Sequence, residues 1–170
     1  ATSFTLVTTC LAAAAGAISA IVFARIVSKS FDVTMGLNGI LAGLVGITAG
    51  ADSVSVGSAV IIGLVAGAIV VFGVKLMDKL KLDDPVGAIP VHLLNGIWGT
   101  LAVGIFVEEY SFTTQLLGVV TIGIFVVAVS FIILFILKKT IGLRVSQRYE
   151  IEGLDIHEHK MNAYPDLVND

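Results

Sequence analysis

Five apolar stretches, at about residues 3–24, 33–51, 53–74, 88–107 and 112–137, constrain this chain more than any other feature. Each runs for roughly 19–26 residues, enough for a helix to cross a hydrocarbon core of about 30 Å. Inside lipid every backbone N–H and C=O must find a partner, so spanning segments are helices or the strands of closed barrels. The two-residue alternation of a barrel strand is absent here. The expected class is therefore all-α, a polytopic transmembrane helical bundle with five spans.

The ten Lys and Arg residues sort into alternate loops. Arg25 and Lys29 follow the first stretch, Lys75, Lys79 and Lys81 the third, and Lys138, Lys139, Arg144, Arg148 and Lys160 the fifth. The other two loops hold none of them and carry Asp52, Glu108 and Glu109 instead. Cytoplasmic loops collect Lys and Arg because these charges resist translocation. The chain is thus expected in a cell membrane, with its first residue outside and its tail in the cytoplasm.

Composition closes off other classes. With 56% hydrophobic and 14% charged residues, the chain cannot supply a polar coat for five buried helices. A net charge of −3, with basic residues scattered over loops, argues against nucleic acid as a partner. Cys10 is alone in the first stretch and can form no internal disulfide. No nucleophile and base are recognisably paired, so neither an enzyme nor a cofactor is expected. Because a span begins almost directly after Ala1, without a basic leader, the chain reads as a segment of a longer polypeptide.

The second and third stretches are rich in glycine. Gly39 and Gly43, and the ladder Ala59, Gly63 and Gly67, place small residues one helical turn apart, as expected for helices packed closely in lipid. The run 11–15 in the first stretch has small side chains suited to the same packing. The fifth stretch is dominated by Ile, Val, Phe and Leu, the composition of a helix facing lipid. This divides the chain into a membrane region, 1–140, and a polar cytoplasmic tail, 141–170, with short ordered pieces around Gly142, Gly153 and Pro165. In the connector 75–84, Asp83 or Asp84 stands before Pro85, where a carboxylate can accept the free N–H groups of a helix start.

His92 is the sole histidine in an apolar stretch. Ionisable groups at membrane depth are costly and usually face a protein interior or an aqueous path. Two readings stand side by side: a structural histidine bonded to a neighbouring helix, or a group that relays protons or lines a path. In the tail, His157 and His159 with Asp155 and Glu158 invite a metal reading. Their two-residue spacing separates them on a helix and no cysteine supports them, so a solvated tail is expected.

The segment DDPVGAIPVHLLNGIWGTLAVGIF, residues 83–106, resembles the ammonium transporter (Amt/Mep/Rh) family, in which such a stretch forms the tenth of eleven spans. GLNGILAGLVGITAG and VGSAVIIGLVAG look like that family's eighth and ninth spans, and GLRVS, EGLDIHEH and AY look like its C-terminal signature. The resemblance, to the prokaryotic Amt branch, runs from about Val7 to Tyr164. It implies that the five spans are most of the second half of such a transporter.

By the same resemblance, His92 matches one of two pore histidines, and Thr48 a threonine of a GLV-x-x-T segment. Leu41 and Ala88 align with apolar positions of the pore wall, Asp84 and Pro85 with a motif that organises the approach to the histidine, and Trp98 with a packing segment. Five positions depart from the pattern. Leu93 and Lys160 replace glycines, Ala49 stands where many members have proline, and Arg148-Tyr149 interrupts an acidic run.

The implied function is movement of ammonium or ammonia through a histidine-lined apolar pore. The implied partners are membrane lipid, the missing N-terminal spans, two further copies in a homotrimer, and a PII-type regulator at the cytoplasmic face. Such folds pair two inverted halves around the path, so the chain alone is not expected to conduct. The alternative is an ammonium-sensing or assembly subunit without transport.

Overall fold

The computed structural model describes residues 2–164, and every regular element among them is helical. In chain order these are α1 (Thr2–Ser28), α2 (Val33–Ile47), α3 (Val56–Leu80), a π-helical turn (Ile89–Leu94), α4 (Asn95–Phe106), α5 (Phe112–Thr140), α6 (Gln147–Glu152) and α7 (Leu154–His159). Ala1 and the end of the expected tail, Pro165 included, lie outside the described residues.

Among the described residues four segments are long and apolar enough to cross a membrane: Thr2–Ser28, Val56–Leu80, Ile89–Phe106 and Phe112–Thr140. The second expected span is shorter than its apolar run. α2 has 15 residues, about 22 Å of helix, and the chain then turns through residues 48–53. The Thr48 N–H reaches back only to the Val45 carbonyl at 3.2 Å, tightening the last turn. Gly50, Asp52 and Ser53 are poor helix formers, and the Gly50 carbonyl accepts the N–H groups of both Ser53 and Val54. Ala51 and Val54 nevertheless turn inward and are buried, which accounts for the apolar pattern past the helix end.

The contacts divide the chain into two units, one running through Ile122 and the other from Gly123 onward. In the first unit α1 packs along both α2 and α3, and the fit depends on missing side chains. A Cβ on Gly43 or on Gly63 would strike the Ala12 carbonyl oxygen, and one on Gly67 would strike that of Gly16. The expected packing ladders are therefore real contacts, and both converge on one stretch of α1. Gly57, by contrast, meets only the Ser55 hydroxyl within its own helix cap.

Side-chain hydrogen bonds stitch this unit together along its length. The Thr8 hydroxyl donates to the Ala51 carbonyl at 2.5 Å, and that of Ser19 to the Leu64 carbonyl at 2.5 Å. At the other end Lys75 Nζ donates to the Val27 carbonyl at 3.4 Å. The basic end of α3 thus lies beside the basic end of α1, as their shared place in the charge pattern requires. Asp32 and Ser55 cap α2 and α3, each accepting a backbone N–H at 3.1 Å.

α5 buries none of its residues, in keeping with a lipid-facing composition. The second unit holds the end of α5 and the two short helices of the tail. Gly153, at φ 100°, separates α6 from α7. Lys160 caps α7 at φ 51°, a left-handed conformation that glycine adopts freely and lysine does not.

Candidate transport site

The site grows from the connector after α3. The two carboxylate oxygens of Asp84 accept the N–H groups of Ala88 at 2.7 Å and Ile89 at 2.8 Å. They satisfy donors that the start of any helix leaves free. Gly87, at φ 73°, makes the turn between them, and the neighbouring Val86 carbonyl accepts from Asn38 Nδ2 of α2 at 3.3 Å. Asp84, rather than Asp83, is thus the cap, with Pro85 exposed in the turn.

This start does not lead into an ordinary α-helix. Pro90 falls in its first turn, where a missing N–H costs nothing, and residues 89–94 wind as a π-helical turn. Such turns carry an additional residue and recur at functional positions. His92 sits in the middle of it, exposed, as do Ala88 at its start and Leu93 beside it. The His92 imidazole makes no hydrogen bond among the described residues, so no neighbouring helix of this chain holds it.

Trp98 lies behind this segment, partly buried between the two clusters of core side chains. Its indole N–H donates to the Ile62 carbonyl of α3 at 3.1 Å, which anchors α4. Leu41 and Thr48 stand on the exposed side of α2, and the Thr48 hydroxyl donates within its own helix to the Leu44 carbonyl at 2.6 Å. Asp84, Ala88 and His92 therefore belong to one continuous segment. Leu41 and Thr48 belong to another, and no hydrogen bond or ring contact joins either to His92 among the described residues.

Sequence reasoning passed over Asn95. It is wholly buried where the π turn meets α4, and its Nδ2 donates to the Pro90 carbonyl at 2.9 Å. An amide three residues after the histidine in an apolar stretch was the available signal.

The tail carries its own polar cluster. Glu152 accepts from Arg148 at 2.8 Å and lies 2.5 Å from His157 Nε2, while the Tyr149 ring stacks on that of His157 at 4.0 Å and 11°. Arg148 and Tyr149 are thus both engaged with this cluster. The hydrogen bond from Arg148, and then that from His157, hold the Glu152 carboxyl below its ordinary pKa. Arg144 does the same for Glu150, and the Ala163 N–H for Asp155. His157 is committed to a carboxylate and a ring, and among the described residues no three His, Cys, Asp or Glu side chains are grouped to hold a metal.

Long apolar helices packed through glycine, with one histidine standing on an open side, define a polytopic helical membrane protein. Residues 1–164 match the Ammonium Transporter Family, and the chain belongs to that family. It is 41% identical over 178 residues to the ammonium transporter Amt2 of Archaeoglobus fulgidus, covering 93% of this chain and 38% of that protein. The fold superposes on a sensor Amt protein with a TM-score of 0.80 at 35% identity, over 92% of this chain and 42% of the other. Mep2 of Saccharomyces cerevisiae gives 0.78 at 29% identity, over 85% and 37%. The chain thus spans well under half the length of these relatives.

Proposed function

We propose that this chain forms one wall of a transmembrane path for ammonium or ammonia, with His92 as the polar group on that wall. The observation that carries the reading is an unbonded, exposed imidazole in a π-helical turn of a chain that matches ammonium transporters. Ammonium stripped of water in a medium of low dielectric is costly by several kcal/mol or more. An apolar constriction therefore favours neutral ammonia after deprotonation, and His92 donates or accepts a hydrogen bond there. Leu41 and Ala88 keep the wall apolar, Thr48 adds a hydroxyl whose proton is already committed to its own helix, and Asp84, Pro85 and Trp98 hold the segment in place.

A second wall, from spans such as those in the remaining length of the relatives, completes the path, so this polypeptide alone does not conduct. The first residue faces outside and the tail the cytoplasm, where the tail meets neighbouring copies in a trimer and a PII-type regulator. A sensing role is the second reading, favoured by the likeness to a sensor Amt protein. Flux separates the two, because a sensor reports ammonium without substantial transport.

The test is His92→Ala in the complete transporter reconstituted in proteoliposomes. The expected result is a loss of ammonium flux or of selectivity against other small cations. Flux and selectivity equal to the parent's would refute the role of His92.

A further inference from the structure

We infer that Asn95 is the positioning residue that sets the aim of His92, an inference that rests on the transport reading above. Asn95 brackets the histidine. Its side-chain Nδ2 donates to the Pro90 carbonyl at 2.9 Å, and its backbone N–H donates to the carbonyl of His92 itself. Pro90 is in turn buried against α3, where a Cβ on Gly73 would come within 2.8 Å of the Pro90 Cβ. The tie therefore refers the π turn to a fixed point on a neighbouring helix.

The asparagine is not there for its packing. Its side chain is 0% exposed, and its Oδ1 has no hydrogen-bond partner. A buried acceptor without a donor is destabilising, and an apolar residue of similar size, such as leucine, avoids that cost. Turning the amide over gives no relief, because two acceptors, Oδ1 and the Pro90 carbonyl, would then face each other. What asparagine supplies and leucine does not is the bond to Pro90.

That bond bears on direction. A π turn winds by less per residue than the roughly 100° of an α-helix, so converting it to α geometry would swing His92 around the axis by some tens of degrees relative to α4. Asn95 opposes the conversion by holding Pro90 five residues back. His92 consequently keeps its exposed orientation without a hydrogen bond of its own.

The experiment compares Asn95→Leu with His92→Ala in the complete reconstituted transporter, measuring thermal stability, ammonium flux and the NMR chemical shifts of the His92 ring. Asn95→Leu is expected to melt at or above the parent temperature, yet to lose flux about tenfold or more and to move the His92 ring resonances. If the leucine variant does not accumulate, Asn95→Ala, which adds no bulk, carries the same expectation for flux and ring resonances. Parental flux with unmoved His92 resonances overturns the inference. Where His92→Ala loses flux but neither Asn95 variant does, only the role of Asn95 fails. Where His92→Ala itself transports normally, the role of His92 on the path fails first.

Discussion

Gly46 of α2 and Gly99 of α4 meet backbone to backbone: a Cβ on Gly99 would run into the Gly46 carbonyl oxygen. This crossing fixes the helix that carries Thr48 against the one that continues from His92. In lipid, where burial of apolar surface gives helices little reason to associate, such close approach supplies the packing energy.

A side chain at that crossing is therefore expected to be costly. Gly99→Ala should destabilise the folded bundle by about 1–3 kcal/mol, the usual range for overpacking. Gly118→Ala in α5, where a Cβ meets nothing within 4 Å, should be neutral or stabilising by about 0.5–1 kcal/mol. Unfolding in detergent under a denaturant series measures both. Equal effects at the two positions would show that the crossing is looser than described.

Asp84 holds two helix-start N–H groups with one carboxylate. Asp84→Ala should cost about 0.5–2 kcal/mol, as for the loss of a helix N-cap. The sharper expectation is local: amide hydrogens of Ala88 and Ile89 should exchange faster, while those in the middle of α3 stay protected. Unchanged exchange at both amides would mean that the carboxylate does not serve as the cap.

The tail should be sensitive to acid. Glu150, Glu152 and Asp155 all have pKa values lowered from their ordinary 4.5, 4.5 and 3.8 by partners formed in the folded tail. A lowered folded-state pKa contributes stability that is present above the ordinary value and disappears as the pH falls through the lowered one. Amide protection over residues 147–159 should thus be steady at neutral pH and decline once the pH drops below the ordinary carboxylate range. His157→Ala removes one cause of the Glu152 shift and should move that carboxyl's midpoint upward, readable by NMR. A midpoint that stays put would assign the shift to Arg148 alone.

Much of this architecture was legible before any coordinates. Runs of apolar residues of spanning length force helices because lipid offers backbone groups no other partner, and the glycine ladders announced the surfaces on which Ala12 and Gly16 now lie. The DDP turn and the histidine beyond it were equally visible. Hidden were features that depend on where the chain meets itself. Gly50, Asp52 and Ser53 hinted at an early end to the second helix, but not that the chain would fold back there and bury Ala51 and Val54. Tyr149 and His157, eight positions apart, gave no hint of their stacking.

The sequence by itself determined the nature of the apolar segments, the sorting of the positive charges into alternate loops, and the family. Those follow from composition and order, which act locally on each stretch of chain. Only the tertiary structure decided that the helix bearing His92 winds as a π turn, that Asp84 and Asn95 clasp that turn at its two ends, and that the imidazole has no hydrogen-bond partner among the described residues. The physical reason is that hydrogen-bond geometry and backbone approach distances are set by packing between helices, which no single stretch encodes.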